Sequence, residues 1–139
     1  MTRYMLDTNT VSHLLKKHPL VARRVVEVPI TALCISAITH GELLFGLAKR
    51  PDATTLHRAV DEFLRRVDVL PWGATAAQCY GAARALMQRE GKTLAPMDML
   101  IGSHALSIDA VLVTNDHAFG HLPDLSIEDW TVEVRRSAM

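Results

Sequence analysis

Tyr4-Met5-Leu6-Asp7-Thr8-Asn9 stands at the head of the chain. A short apolar run that ends on an Asp, followed at once by small polar residues, presents a carboxylate at the mouth of an α/β sheet. Ligands of open parallel sheets bind there, outside the carboxyl ends of the strands. Three other acids lie in similarly apolar surroundings: Glu42 in Gly41-Glu42-Leu43-Leu44-Phe45, Asp98 in Pro96-Met97-Asp98-Met99-Leu100, and Asp116 just after Val111-Leu112-Val113-Thr114-Asn115. Charged side chains are seldom buried without a compensating partner. Four acids in apolar contexts point to a cation, and a divalent one.

Working outward from that stretch, Arg3 to Leu6 reads as a short buried strand, and Asp7, Thr8 or Asn9 can cap a helix running to about Lys17. Pro19 marks the turn into a second short helix, Leu20 to Val28. Leu33 to Ser36 is a strand, and Ser36 is a natural N-cap for the helix that carries Glu42 and ends near Lys49-Arg50-Pro51. From Asp52 to Val67, the spacing of Leu56, Val60, Phe63, Leu64 and Val67 predicts an amphipathic helix. Val67 to Leu70 is a strand closed by Pro71. Ala74 to Glu90 is an alanine-rich helix with Gly91 just past its end. Pro96 starts a helix reaching Ser107, Ala110 to Thr114 is the most strand-like run, and Leu125 to Trp130 is expected to add an edge strand. Strands alternate with helices and are continuous apolar runs. Both features indicate α/β architecture with a parallel sheet covered on both faces.

With 139 residues the chain suits one domain spanning 1–139, long enough for a substantial core. Fifteen basic and fifteen acidic residues cancel, which argues against a generic polyanion-coating protein. Basic pairs remain at Lys16-Lys17, Arg23-Arg24, Lys49-Arg50, Arg65-Arg66 and Arg135-Arg136. Such pairs are mostly solvated helix faces. Cys34 and Cys79 form no CxxC motif, and buried free thiols in a reducing compartment are expected. With no signal-peptide pattern and no apolar run near the ~20 residues of a membrane helix, a cytoplasmic location without membrane attachment is expected.

Asp7 and Asp116 each follow a strand, and in a parallel sheet those ends share one edge. Glu42 lies two turns into a helix after another strand. Asp98 lies in a first helical turn, where the dipole favours an anion. Four ionised carboxylates at one site repel unless protonated or neutralised by metal. Oxygen-only ligands suit Mg²⁺ or Mn²⁺ rather than zinc.

Four pieces together, in order, resemble the PIN-domain family, and within it the VapC-type toxins of bacterial toxin–antitoxin pairs. They are Met5-Leu6-Asp7-Thr8-Asn9; Ile35-Ser36-Ala37-Ile38-Thr39-His40-Gly41-Glu42-Leu43 with Gly46; Asp98 with Ile101; and Val113-Thr114-Asn115-Asp116-His117-Ala118-Phe119. The resemblance implies a three-layer α/β/α sandwich with a central parallel sheet. It also implies metal-dependent endoribonuclease activity on tRNA or rRNA, with Mg²⁺ or Mn²⁺ held by Asp7, Glu42, Asp98 and Asp116. The fourth position is the one that varies most in the family. Thr114 and Asn9 fall where the family often has small polar residues. A small DNA-binding antitoxin that blocks the pocket is implied as partner, and a homodimer is expected.

Each acid has a plainer reading. Asp7 can be a helix N-cap, Glu42 a surface residue, Asp98 a first-turn acid and Asp116 an Asx turn. Asp68 reads as a sheet-edge residue. The histidines show no metal-ligand pair; His117 adjoins the pocket and His40 reads as structural. A phosphotransferase of the haloacid-dehalogenase kind needs a second acid where this chain has Asn9, and its supporting Lys is not evident. The non-enzymatic alternative is a degenerate PIN domain that binds protein or RNA without catalysis, and the intact acids argue against it. The expected chemistry is RNA hydrolysis by metal-activated water, with basic pairs holding the phosphate backbone.

Overall fold

The computed structural model describes residues 1–133. Arg135-Arg136 therefore lies outside the described residues. Five parallel strands form one sheet in the order β3-β2-β1-β4-β5. They are β1 (Tyr4–Leu6), β2 (Leu33–Ser36), β3 (Asp68–Leu70), β4 (Val111–Val113) and β5 (Ile127–Glu128). The helices are α1 (Thr8–Leu15), α2 (Pro19–Glu27), α3 (Ala37–Ala48), α4 (Thr54–Arg66), α5 (Ala74–Arg89) and α6 (Pro96–Ser107). Two short 3-10 turns, Ile30–Ala32 and His117–His121, complete the described elements.

The strands' two-residue alternation builds the three layers. Leu6, Leu33, Ile35 and Val113 point to one face, where Val11, Val21, Leu43, Leu47, Val60 and Phe63 of α1 to α4 cover them. Met5, Cys34 and Leu112 point to the other, against Ile101 and Ala105 of α6. There α5 packs on α6 through Ala83, Met87 and Met99. Because both faces are covered, the strands need no polar alternation. Burial pushes the Cys34 thiol up to about 11, so it stays protonated and inert. Cys79 is also a free thiol but only half-buried, less enclosed than its apolar context suggests.

Several boundaries differ from expectation for local reasons. The first helix stops at Leu15, because Lys17 adopts φ 62°, a left-handed conformation that ends it. Pro19 is the first residue of α2 rather than a turn outside it, a position where its missing N–H costs nothing. The fourth helix begins at Thr54, with Ala53 at its N-cap supplying no side-chain acceptor. The Leu125–Trp130 segment does add an edge strand, β5, parallel to β4. At the opposite edge lies Asp68, exposed on the edge strand as expected, and it also pairs with Arg3 at 3.4 Å.

Order 3-2-1-4-5 means that the chain leaves β1 toward β2 on one side and β4 lies on the other. The gap at the carboxyl ends of β1 and β4 is therefore a topological switch point, where ligands of doubly wound sheets bind. Leu6 pairs with Val113, so Asp7 and Thr114 follow side by side at that gap.

One buried contact joins the two sides of the sheet. His104 of α6, 2% exposed, shares a 2.7 Å hydrogen bond between its Nδ1 and the Ser36 hydroxyl. Ser36 Oγ also accepts from Ile38 N, capping α3. Burial lowers the His104 pKa from the ordinary 6.5. The unfolded chain thus takes up a proton near pH 6.5 that the folded protein refuses until lower pH. By linkage, stability is present above pH 6.5 and falls as pH drops below it. Denaturation midpoints between pH 7.5 and 5.5 should show this decline, and His104→Asn should flatten it. An identical slope in that variant would assign the decline to other groups.

Candidate metal centre at the switch point

All four acids converge toward the switch point, each placed by its own element. Asp7 follows β1 and is 4% exposed; its backbone N–H donates to Val113 O at 3.1 Å. Its Oδ1 accepts from Thr10 N at 2.8 Å, so it does cap α1. The cap uses one carboxylate oxygen, and capping does not preclude a second role. Asp116 follows β4 and similarly caps the 3-10 turn, accepting from Ala118 N at 2.9 Å. Its own backbone N–H donates to the buried Thr114 hydroxyl at 3.0 Å, so Thr114 orients the loop that carries it.

Glu42, half-buried on α3, is anchored from α1. The Thr8 hydroxyl donates to Glu42 Oε1 at 2.6 Å, and Thr39 Oγ1 lies 3.4 Å from the same hydroxyl. Asp98 sits in the first turn of α6. Its pKa is raised, first by burial and then by the negative charges of Asp116, Asp7 and Glu42. Asp98 thus lies within electrostatic reach of all three other acids. Keeping it ionised at neutral pH costs folding stability.

The donor chemistry suits a hard divalent ion, since every converging group is a carboxylate. Among the described residues, no three Asp, Glu, His or Cys side chains already stand together as a cation cluster. The two observations are compatible. Mg²⁺ keeps several of its waters and takes one or two carboxylates directly, so it does not need three protein ligands already gathered. Two cavities, of about 320 and 450 Å³, lie elsewhere, and neither is lined by any of the four acids.

Other residues singled out by sequence have local roles of their own. Asn9 is exposed on α1, and His117 is exposed beside Asp116. His40 is half-buried on α3. His13 and His18 do meet, with ring centroids 5.4 Å apart. Both are occupied structurally: His18 Nδ1 accepts from Val21 N, and His13 Nε2 lies 3.4 Å from Asn115 Nδ2. Two of the basic pairs, Arg23-Arg24 and Arg65-Arg66, are engaged by acids. Arg24 binds Glu128 at 3.0 Å and Glu27 at 3.2 Å, while Arg65 and Arg66 both pair with Glu62. The Thr8–Glu42 bond went unread in the sequence, although Thr8 directly follows Asp7; it depends on α1 packing against α3.

Residues 4–125 match the PIN domain family. The tRNA(fMet)-specific endonuclease VapC of Salmonella typhimurium is 36% identical over 131 residues, covering 94% of this chain and 99% of that protein. Ribonuclease VapC2 of Rickettsia felis is 32% identical over 136 residues, covering 91% of this chain and 97% of its own. Among solved structures, DNA-bound VapBC from Salmonella typhimurium superposes with a TM-score of 0.85 at 36% identity, covering 94% of this chain and 99% of that one. VapBC2 from Rickettsia felis, bound to a DNA fragment from its promoter, also gives 0.85, at 32% identity over 93% of this chain and 99% of that one. The chain belongs to the PIN-domain family and, within it, to the VapC group.

Proposed function

We propose that this chain is a Mg²⁺- or Mn²⁺-dependent endoribonuclease, the toxin of a toxin–antitoxin pair, acting in the cytoplasm on tRNA or rRNA. The observation that supports the reading is that Asp98 lies within electrostatic reach of Asp116, Asp7 and Glu42 near the sheet's switch point, in a chain 32–36% identical to proteins named as an endonuclease and a ribonuclease. Asp7 and Asp98 would hold the ion chiefly, with Glu42 and Asp116 completing its surroundings directly or through waters. Such an ion supplies Lewis acidity toward a phosphoryl oxygen and lowers the pKa of a bound water.

The chain's own residues set the frame for that chemistry. Thr8 restrains Glu42 by binding one of its oxygens, and the α1 cap does the same for Asp7. The partner is a DNA-binding antitoxin, by analogy with the VapBC complexes solved on DNA. No helix among the described residues is long and apolar enough to cross a membrane.

Metal removal tests the reading. Purified protein should cleave RNA in Mn²⁺ and lose that activity in EDTA. An ion that binds only the folded state stabilises it, by roughly 2.7 kcal/mol at a hundredfold excess over Kd. Mn²⁺ should therefore raise the melting temperature of the wild type. It should do so far less for Asp98→Asn, which in EDTA should melt no lower than wild type because it relieves repulsion. Cleavage that persists in EDTA, or melting indifferent to millimolar Mn²⁺, would contradict the metal centre.

A further inference from the structure

The cavity of about 320 Å³ between α5 and α6 lies outside the acidic site yet shares a helical turn with it. Pro96 and Met99 line it, and Asp98 stands between them in sequence. Tyr80, Met87, Leu94 and Met99 give it an apolar, polarisable interior, while Arg84 and Lys92 are its cations. None of its lining residues is acidic. Arg84 and Lys92 thus share the cavity with the residues that flank Asp98 in the first turn of α6.

The cations are placed for an anionic ligand. Arg84 Nη1 donates to the Tyr80 hydroxyl at 2.6 Å, and its guanidinium carbon lies 5.8 Å from the Tyr80 ring centroid. That fixes the planar fork in the cavity lining with donors to spare for phosphate oxygens. Lys92 is paired with Glu90 at 3.2 Å, both side chains 42% exposed, a solvated pair that yields readily to a competing anion. The Tyr80 ring is fixed from behind by Trp72 at 6.0 Å, edge to face. Trp72 is itself tied to α6, its Nε1 donating to Leu100 O at 2.9 Å. The aromatic pair therefore bridges α5 to the helix that bears Asp98. The volume sits at the small end of the ~300–1,000 Å³ range of ligand pockets, sized for one nucleotide and too small for a duplex.

On the nuclease reading above, we propose that this cavity takes one unpaired nucleobase of the RNA strand, against Tyr80 and the methionines, with an adjoining phosphate on Arg84 and Lys92. It would hold the strand while a neighbouring phosphodiester reaches the acids. Sequence-tolerant stacking with a cationic backbone contact is how single strands are commonly gripped.

The test uses the full chain and a labelled twelve-nucleotide single-stranded RNA of mixed sequence. Binding is read in EDTA and cleavage in Mn²⁺. Tyr80→Leu should weaken binding about tenfold to a hundredfold and raise KM with kcat little changed. Lys92→Gln, at an exposed position, should weaken binding in the same direction and become less sensitive to salt. Removing the base at one position of the RNA should reproduce the Tyr80→Leu loss, and the two changes together should cost no more than either. Unchanged binding in folded Tyr80→Leu and Lys92→Gln, or fully additive losses, would overturn the proposal. So would a dimer in wild type that Tyr80→Leu dissociates while RNA binding is kept, which would make the cavity a seat for a second copy. If the wild type neither binds nor cleaves any RNA, the nuclease reading fails and this site falls with it; if it cleaves RNA normally in the variants, only this site falls.

Discussion

Asp7→Asn and Asp98→Asn are each expected to lower RNA cleavage by about a thousandfold, without unfolding the protein. Losing one preorganised charge-stabilising group in an active site costs about 10²–10³ in rate, and a carboxylate proposed to hold the ion should reach the top of that range. The fold should survive for specific reasons. Asn at position 7 still offers a side-chain oxygen to Thr10 N, and Asn is among the preferred N-caps. At position 98 the substitution removes a charge that burial and three neighbouring acids already oppose. Cleavage kinetics alongside circular dichroism would check this. Activity within tenfold of wild type in either well-folded variant would place the chemistry elsewhere.

The second large effect concerns the far edge of the sheet. Trp130, 2% exposed, packs its ring 5.4 Å from Tyr4 of β1 and donates Nε1 to Glu128 Oε1 at 3.0 Å. The Arg24 guanidinium lies over the same indole at 5.2 Å while binding the same Glu128 oxygen. This cluster ties α2 to β5 and closes the apolar face beneath α1 and α2. Trp130→Ala should destabilise the domain by about 3–5 kcal/mol, a large share of the ~5–15 kcal/mol typical of native proteins. Part of that loss arises because Arg24 and Glu128 would lose their shared aromatic cover. Urea denaturation would measure it, and a loss below about 1 kcal/mol would mean that the cluster is peripheral. Trp130 lies beyond residues 4–125, the part that matches the family, so this anchor is carried by the segment after the matched core.

What the sequence made legible follows from locality. Asp7 and Asp116 could be placed because each follows an apolar run short enough to be a buried strand, and the parallel reading brought those ends to one edge. Ser36 was recognisable as a cap, since its hydroxyl acts on Ile38 two residues away. The contacts that refine the site depend instead on how helices pack. Thr8 reaches Glu42 across 34 positions, and His104 reaches Ser36 across 68. Neither has a periodic signature. The His117–His121 turn was invisible because five residues of 3-10 helix carry no repeat of their own. The Lys16-Lys17 boundary was misplaced because basic residues suit a helix C-terminus, and only the φ of Lys17 reveals that the helix has already ended. The Arg24–Glu128 pair was equally out of reach, spanning 104 positions, whereas the Glu62 pairs with Arg65 and Arg66 follow the i,i+3 and i,i+4 spacing of one helix and were locally legible.

On the proposed function, water rather than the RNA 2′-hydroxyl attacks the phosphorus; Asp7, Glu42, Asp98 and Asp116 would hold the ion, which would supply the activation of that water. Mass spectrometry of the cleavage products tests it most directly, with and without a 2′-deoxy substitution at the scissile nucleotide. The account predicts 5′-phosphate and 3′-hydroxyl ends in Mn²⁺, with cleavage retained on the deoxy substrate. A 2′,3′-cyclic phosphate product, or cleavage abolished by the single deoxy substitution, would contradict it.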